Sequence, residues 1–415
     1  MRGRVLLLLL VALCPVPNAD ADGMLDPSFG NGGLVTTHFP YPPGPNGAGA
    51  SSLVVLPDGR AVAAGNTGDI DGQDMGAARY LASGALDTTF SGDGVVMVSC
   101  GGFFGGVYGT TTALLQPDGR LVLVGNCPGN QALTVARLNV DGSLDPSFGT
   151  SGQVFTSFFP DGVWAAAGIL QRYNGDGSLD PSFGAGGTLT LHLAQHFEAQ
   201  DAALQPDGKL VIVGTYGPWP DRDFGLVRLL PNGALDPSFD GDGVVTSDFG
   251  ATETGASVIV LGDGRLVLGG IRGTSPLVDL ALVRYLSDGT LDTSFGVGGL
   301  ATADAGADDF GSQVIQLPNG KLLVAGTFID SKGGRDFLLS RFHPDGGLDT
   351  SFGSSGFIKT DFTGTLDGCA AVAVAGPDLI LTAGFTFPPT QPLSDFALAR
   401  YIATTPVELL TFEVE

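Results

Sequence analysis

The residues of this sequence that are best suited to chemistry are its aspartates, which cluster in glycine-rich turns. The stretches DIDGQD (Asp69–Asp74), YNGDGSLD (Tyr173–Asp180) and DGDG (Asp240–Gly243) partly match a calcium-binding loop, in which alternate side-chain oxygens and a late glutamate bind the ion. None of them has that glutamate at the twelfth position. We interpret them as turns in which each aspartate bonds its own backbone, with weak Ca²⁺ binding as the open alternative. We predict no dedicated metal site and no cofactor.

Patterns typical of other metal sites and of enzymes do not stand out. His192 and His196 are four residues apart, but their segment is typical of a strand, which would hold them roughly 13 Å apart. The sequence has no G-x-S-x-G, no phosphate-binding loop and no H-E-x-x-H. Because 43 acidic residues guarantee that some carboxylates are neighbours, such a pair does not by itself indicate glycoside hydrolysis. We therefore predict no catalytic residue.

Most of these aspartates belong to a turn that the chain repeats. The pattern L-D-x-[ST]-F occurs seven times, with its Phe at 29, 90, 148, 183, 239, 295 and 352, and five of the six spacings are 56 to 61 residues. Hairpin sequences such as QPDGRLVLVG lie between the turns. An Arg followed by Tyr, Leu or Phe stands eight residues before the Asp in six of the seven copies. The chain is therefore built from repeated units.

Each full unit contains four apolar runs, in the order G-x-V-x-T, the run before P-D-G, the run after it, and the run that carries the Arg. The runs are short, rich in Val, Leu and Ile, and bounded by Gly, Pro or Asp, which is typical of strands. Four antiparallel strands per unit predict an all-β fold, a β-propeller over residues 22–403. In the third unit the Phe spacing is only 35 residues, which removes two strands. We predict seven units: six four-stranded blades and one two-stranded truncated blade.

The motifs LDPSFGxxG, LQPDGRLVLVG and ALVRY resemble those of the delta-60 repeat, an uncharacterised bacterial β-propeller repeat family, over about residues 24–402. The resemblance implies a secreted or surface propeller, and it transfers no activity and no catalytic residue. The truncated third unit and the altered hairpin turn at Gly376–Asp378 depart from the repeat.

The repeated turn itself is predicted to be structural. Its Arg and Asp are spaced to form an ion pair, and its Phe can fill the gap between two blades. Asp26, the first such Asp, has no Arg before it, and Arg400, the last such Arg, has no Asp after it. A closed ring would therefore bring Asp26 and Arg400 together as a structural ion pair.

Alternation of strands places the two kinds of uniform turn, P-D-G and D-G-x-L-D, on one face of the ring, which we call the uniform-turn face. The variable connections open on the opposite face, the variable-loop face, and loops of this kind usually carry function. They also carry aromatics suited to stacking on sugars or anchoring a protein, with covering of the propeller rim as the alternative role. For Trp164 and Trp219, which no other unit shares, a core role is the favoured alternative. The candidate ligand-binding residues are Tyr41, Phe103, Phe104, Tyr108, Trp164, Tyr216 and Trp219.

Three cysteines, Cys100, Cys127 and Cys369, follow the N-terminal segment. Cys100 follows the first strand of the second unit and Cys127 follows its third, so both strand ends lie on one face. Cys100 and Cys127 are therefore a candidate disulfide, with both thiols free as the alternative.

The two ends of the chain and its charge limit where the protein acts. Arg2 and Arg4, the apolar run to Leu13 and the motif ending at Ala21 predict a signal peptide over residues 1–21. Residues 404–415 lie outside the repeat and are interpreted as a linker or an edge strand. The net charge of −24 disfavours nucleic acids and anionic membranes as partners, and no run is long enough to span a membrane. We expect a monomeric protein, secreted or at the bacterial cell surface.

Two functions fit these features. One is a non-catalytic binding or surface-structural module that contacts an extracellular protein or glycan. The other is a propeller hydrolase or lyase that acts on an extracellular polymer such as a glycan. An enzyme would need a cluster of titratable groups that breaks the repeat near one face. The sequence reveals no such cluster, so we favour the binding module and keep the enzyme as the alternative.

Overall fold

The computed structural model describes residues 22–39, 47–69, 72–99, 111–127, 132–157, 169–191, 193–362, 366–388 and 393–403. These residues form seven antiparallel sheets, which we number as blades 1 to 7. Six sheets have four strands and one has two, which confirms the predicted all-β propeller with its truncated third blade. Among the described residues, none lies in a helix that is long and apolar enough to cross a membrane.

The strands are numbered along the chain, beginning with β1 (Leu34–Thr37). Blade 1 contains β2 (Gly47–Val55), β3 (Ala61–Asp69), β4 (Gly72–Tyr80) and β5 (Val95–Val98). Blade 2 contains β6 (Thr111–Leu115), β7 (Leu121–Cys127), β8 (Ala132–Leu138) and β9 (Gln153–Ser157). Blade 3 contains β10 (Ile169–Gln171) and β11 (Thr188–Thr190).

The other four blades are complete. Blade 4 contains β12 (Phe197–Leu204), β13 (Leu210–Tyr216), β14 (Asp223–Leu229) and β15 (Val244–Ser247). Blade 5 contains β16 (Glu253–Val260), β17 (Leu266–Thr274), β18 (Leu277–Tyr285) and β19 (Leu300–Ala303). Blade 6 contains β20 (Asp308–Gln316), β21 (Leu322–Ile329), β22 (Arg335–Phe342) and β23 (Phe357–Thr360). Blade 7 contains β24 (Asp367–Gly376), β25 (Leu379–Thr386), β26 (Asp395–Ile402) and β1.

The P-D-G sequence makes the hairpin between the first two strands of a blade. Between β2 and β3, the Leu56 N–H donates to the Arg60 carbonyl at 2.7 Å, and the Gly59 N–H donates to the Leu56 carbonyl at 3.0 Å. Gly59 has φ +84°, a conformation that residues with a Cβ rarely adopt. The turn therefore needs its glycine, and in blades 1, 2, 4, 5 and 6 the strand that follows begins two residues after that glycine. In blade 7, where the turn is altered at Gly376–Asp378, β25 begins directly after the turn.

The fourth strand of each sheet comes from the start of the following sequence unit. In blade 7 this strand is β1, which comes from the first repeat of the sequence. It pairs with β26, with Leu34 opposite Ala399 and Thr37 opposite Phe396. The first and last units are thus joined by strand pairing. An offset of this kind closes the ring, because no sheet can be completed by one unit alone.

Blade 3 keeps the outer half of a blade. Gln171 of β10 lies opposite Thr188 of β11, in the same register as Ala78 opposite Val95 in blade 1. Blade 3 therefore retains the third and fourth strands and lacks the first and second. On the flanking blades, Leu114 of β6 and Leu204 of β12 are exposed, Leu204 at 70%. Both side chains lie on first strands, where the truncated blade has no strand to cover them.

The hydrophobic core lies between neighbouring blades. Phe90, for example, is fully buried together with Val62 and Ala64 of blade 1 and Leu121 and Leu123 of blade 2. Because a middle strand is packed on both faces by the adjacent blades, its side chains are apolar on both sides, which explains the uninterrupted runs of Val, Leu and Ile.

Candidate functional site

The repeated turn forms the same clasp in all seven repeats. In each one, the Arg Nε donates a hydrogen bond to the Asp Oδ2 at 2.6 to 2.8 Å, and the guanidinium lies 4.4 to 4.9 Å from the ring centre of the Phe. The pairs are Arg79–Asp87, Arg137–Asp145, Arg172–Asp180, Arg228–Asp236, Arg284–Asp292, Arg341–Asp349 and Arg400–Asp26. The structure thus places Arg400 against Asp26, 2.8 Å apart and both buried.

Each clasp also holds the next blade. A second guanidinium nitrogen, Nη1, donates to the turn of the following repeat, and the series includes the truncated blade 3. The acceptors are the carbonyl oxygens of Val140 for Arg79, Gly175 for Arg137, Pro231 for Arg172, Ser287 for Arg228, Pro344 for Arg284 and Ala82 for Arg400. Arg341 donates instead to the carboxylate of Asp22. Seven links therefore join each blade to the next around the uniform-turn face.

The glycine of each D-G turn packs on the Phe of the preceding repeat. Gly289 has φ +92°, and a Cβ on it would lie 2.9 Å from the Phe239 ring. That contact is closer than carbon atoms tolerate, so the position requires glycine for space as well as for backbone conformation.

The clasp leaves its carboxylate with no free oxygen. While Asp292 Oδ2 accepts from Arg284, Oδ1 accepts from both the backbone N–H and the hydroxyl of Ser294. The hydrogen bonds from Ser294, and then that from Arg284, lower the pKa of Asp292 to about 2. The charged groups of the repeated turn are thus engaged within the protein.

Of the predicted ligand-binding residues, the structure describes two. Tyr41, Phe103, Phe104, Tyr108 and Trp164 lie outside the described residues. Tyr216 ends β13, and its ring centre lies 6.4 Å from that of Phe197 in the half-buried edge of blade 4. Trp219, in the connection from β13 to β14, is 66% exposed. Tyr216 therefore packs against its own blade. The indole of Trp219 is exposed to solvent, so a core role for Trp219 is wrong.

The remaining sequence candidates do not assemble a site among the described residues. Cys100 and His192 lie outside them, and Cys127 is described only as the last backbone position of β7. Cys369 is a buried free thiol whose burial raises its pKa to about 12, so it is unreactive at neutral pH. His196 Nδ1 lies 4.0 Å from Glu198 Oε1.

The calcium-like turns use their carboxylates to close the turn. Asp176 Oδ1 accepts from the N–H and the hydroxyl of Ser178, and Asp242 Oδ1 accepts from the Val244 N–H. These contacts agree with the interpretation of the stretches as turns.

Three groups of acids that the sequence analysis missed lie on the variable-loop face. Each group, which we call an acidic triad, takes one Asp from the start of a third strand, one Asp from just after the fourth strand, and one acid from the first strand of the next blade. In each triad the three residues offer carboxylate oxygens within 4.8 Å of one another. The triads are Asp223–Asp248–Glu253, Asp279–Asp304–Asp309 and Asp336–Asp361–Asp367, at the junctions of blades 4 and 5, 5 and 6, and 6 and 7.

The third acid of each triad is buried, and only one of its two carboxylate oxygens accepts a hydrogen bond from the described residues. One carboxylate oxygen accepts a backbone N–H of its own connection, from Ala251 for Glu253, from Ala305 for Asp309 and from Phe362 for Asp367. The other oxygen has no hydrogen-bond partner among the described residues: Glu253 Oε2, Asp309 Oδ1 and Asp367 Oδ1. All three side chains are fully buried.

Burial without a full set of partners changes the acidity of these groups. Loss of hydration raises the pKa of Glu253 to about 7 and that of Asp309 to about 6, and it also raises the pKa of Asp367. An oxygen-rich group of this kind is able to hold either a proton or a hard metal ion.

A sequence signal for the triads exists in the connection between blades. Asp248 to Glu253 and Asp304 to Asp309 share the spacing D-x-G-x-x-[DE], in which the first Asp also accepts from the Gly N–H at 2.6 Å. Five residues before the repeated Arg, a further Asp starts the third strand. Neither signal is informative alone, because Asp is common in turns.

The chain also matches a known protein family. Six segments fit the model described as a domain of unknown function (DUF5122) β-propeller: residues 56–90, 116–148, 160–183, 205–239, 261–295 and 317–352. The chain carries a DUF5122 β-propeller domain. The seventh copy is missing from these matches, and its hairpin and its L-D-x-[ST]-F turn lie at opposite ends of the chain, from residue 374 onward and at residues 25–29.

One solved structure among those compared has a similar fold. A protein of unknown function from Dyadobacter fermentans matches with a TM-score of 0.51 and 14% identity over 89% of this chain and 99% of that chain. Less similar are the polysaccharide lyase Uly1, with a TM-score of 0.45 and 11% identity over 86% and 90% of the two chains, and an endo-arabinase from Bacteroides thetaiotaomicron, with a TM-score of 0.38 and 11% identity over 70% and 92%. At 14% identity, the likeness to the Dyadobacter fermentans protein concerns the fold alone. No curated protein matches the sequence.

Proposed function

We propose that this DUF5122 propeller, built from repeats of the delta-60 type, is a secreted, non-catalytic binding or surface-structural module whose ligand binds the variable-loop face. The observation that carries the proposal is the contrast between the two faces. On the uniform-turn face the repeated charged groups are paired within the ring, so they hold blades together. On the variable-loop face Trp219 is exposed on a loop of a rigid scaffold.

A second exposed apolar side chain supports the same face. Leu277 is the first residue of β18, directly after the connection that is equivalent to the Trp219 connection, and it is 77% exposed. An exposed tryptophan can stack on a sugar ring or enter a pocket of a protein partner. The ligand we expect is accordingly an extracellular glycan or protein.

The test is a screen of the secreted chain on arrays of extracellular glycans and proteins, with and without EDTA, followed by two variants. Trp219→Ala is expected to weaken binding to the captured probe by about 30-fold or more, the loss typical of a central aromatic contact. Val297→Ala is the matched control, because Val297 is 88% exposed but lies on the uniform-turn face. It should leave binding unchanged.

The reverse pattern, in which Val297→Ala weakens binding and Trp219→Ala does not, would contradict the assignment of the face. Release of new reducing ends or unsaturated sugars from a bound glycan would contradict the non-catalytic role.

A further inference from the structure

The acidic triads have the dimensions of a single-ion site. Two oxygens that each lie about 2.4 Å from one Ca²⁺ can be at most about 4.8 Å apart. The three carboxylates of each triad meet this limit before any ion is bound. Their ligand atoms are all carboxylate oxygens, the type that hard cations such as Ca²⁺ prefer, while zinc and copper favour nitrogen and sulfur.

The buried third acid points to a ligand independently of that spacing. Leaving a buried carboxylate oxygen without a partner is costly, and proteins rarely do so without a water or an ion to satisfy it. Glu253 and Asp309 each have one such oxygen, at equivalent positions of consecutive blade junctions. Because the same unpartnered oxygen recurs at equivalent positions, it is a feature of the fold.

Nearby basic residues do not satisfy these oxygens. Arg272 Nε lies 3.3 Å from Oε1 of Glu253, which leaves Oε2 without a partner. Lys359, whose charge acts on Asp309, donates its hydrogen bond to the Ala305 carbonyl and lies over the Phe328 ring. The unpartnered oxygens of Glu253 and Asp309 thus remain available to a cation.

The blade 7 to blade 1 junction shows what the fold does without a triad. There Asp395 occupies the first position, His38 the second and Ala48 the third, as the strand registers show. His38 Nδ1 lies 2.9 Å from Asp395 Oδ1, so the pair is satisfied locally. This junction therefore serves as an internal control.

We propose that each acidic triad binds one divalent cation of the Ca²⁺ class, so that three ions join blades 4, 5, 6 and 7 in series on the variable-loop face. Each ion would bridge two acids of one blade and one of the next. The cations would thereby hold these four blades together on the face opposite the arginine links. This inference does not depend on the ligand proposed above.

The test is calorimetric titration of the EDTA-treated full chain with Ca²⁺, with Mg²⁺ for comparison. We expect three Ca²⁺ per chain, weaker binding of the smaller Mg²⁺, and a rise in Tm with Ca²⁺. Glu253→Gln and Asp309→Asn should each weaken one of the three sites by on the order of 10-fold or more. Asp395→Asn should retain all three.

Absence of Ca²⁺ binding would overturn the proposal, as would three unaltered sites in both triad variants. The Tm in EDTA separates a cation site from a purely structural role. Because Asp309→Asn removes a buried charge, the metal-free variant should be at least as stable as the metal-free wild type. A lower Tm of the variant in EDTA would contradict a cation role for this residue.

Discussion

Replacing Asp26 with alanine is expected to lower the free energy of unfolding by about 3–5 kcal/mol. The substitution removes the only carboxylate that pairs with Arg400 among the described residues, while the guanidinium stays buried against Phe29 and the Ala82 carbonyl. A buried charge that loses its partner cannot recover its hydration, so the loss greatly exceeds that of an exposed ion pair. Guanidinium denaturation followed by circular dichroism measures the change.

The matched control is Asp263→Ala. Asp263 also pairs with an arginine, Arg265, at 2.6 Å, but about half of its side chain is exposed. Its loss should cost under about 1 kcal/mol. An equally small cost for Asp26→Ala would show that the Asp26–Arg400 pair does not hold the ring closed.

Replacing Phe295 with alanine is expected to cost about 3–5 kcal/mol of unfolding free energy. Phe295 is fully buried between blades 5 and 6, in one hydrophobic cluster with Leu282 and Val324, and the Arg284 guanidinium lies 4.6 Å from its ring centre. Removing the ring leaves a cavity at a junction, where rigid sheets cannot collapse to fill it. The same denaturation measurement tests this prediction.

Phe155→Ala provides the comparison, because Phe155 is half exposed on the outermost strand of blade 2. We expect it to change the unfolding free energy by under about 1 kcal/mol, since about half of the Phe155 surface is already in water. A Phe295→Ala cost in that range would mean that the repeated Phe does not pack the blade junctions.

The ring could be predicted from sequence because its parts are repeated. Seven copies of one spacing reveal which residues belong to the architecture, and the unpaired Asp26 and Arg400 mark the place where the ring must close. The truncated blade followed from the short spacing between Phe148 and Phe183. What the sequence concealed was the offset, in which each sheet borrows its fourth strand from the next unit.

The acidic triads escaped sequence analysis for a physical reason. Each brings together acids from three elements of two blades, such as Asp279, Asp304 and Asp309, over a span of some 30 residues. In a chain with 38 Asp, an Asp at a strand end is most simply explained as a turn residue. Only burial distinguishes Asp309, whose side chain is inaccessible, from the many exposed aspartates.

For the candidate ligand-binding aromatics, the sequence predicted more binding residues than the described residues support. The variable loops concentrate aromatics, but an aromatic ring serves packing as readily as binding. Tyr216 packs beside Phe197, whereas Trp219 is exposed, and no sequence feature distinguished the two.

The central claim is that the uniform-turn face holds the ring together while the variable-loop face binds ligands. Amide hydrogen exchange of the full chain, with and without millimolar Ca²⁺, measures the protection of the backbone on both faces in one experiment. The account predicts slower exchange in the connections after β15 and β19, at residues 248–253 and 304–309, and no change in the uniform turns at 286–291 and 343–348. Slowing confined to those uniform turns would contradict it.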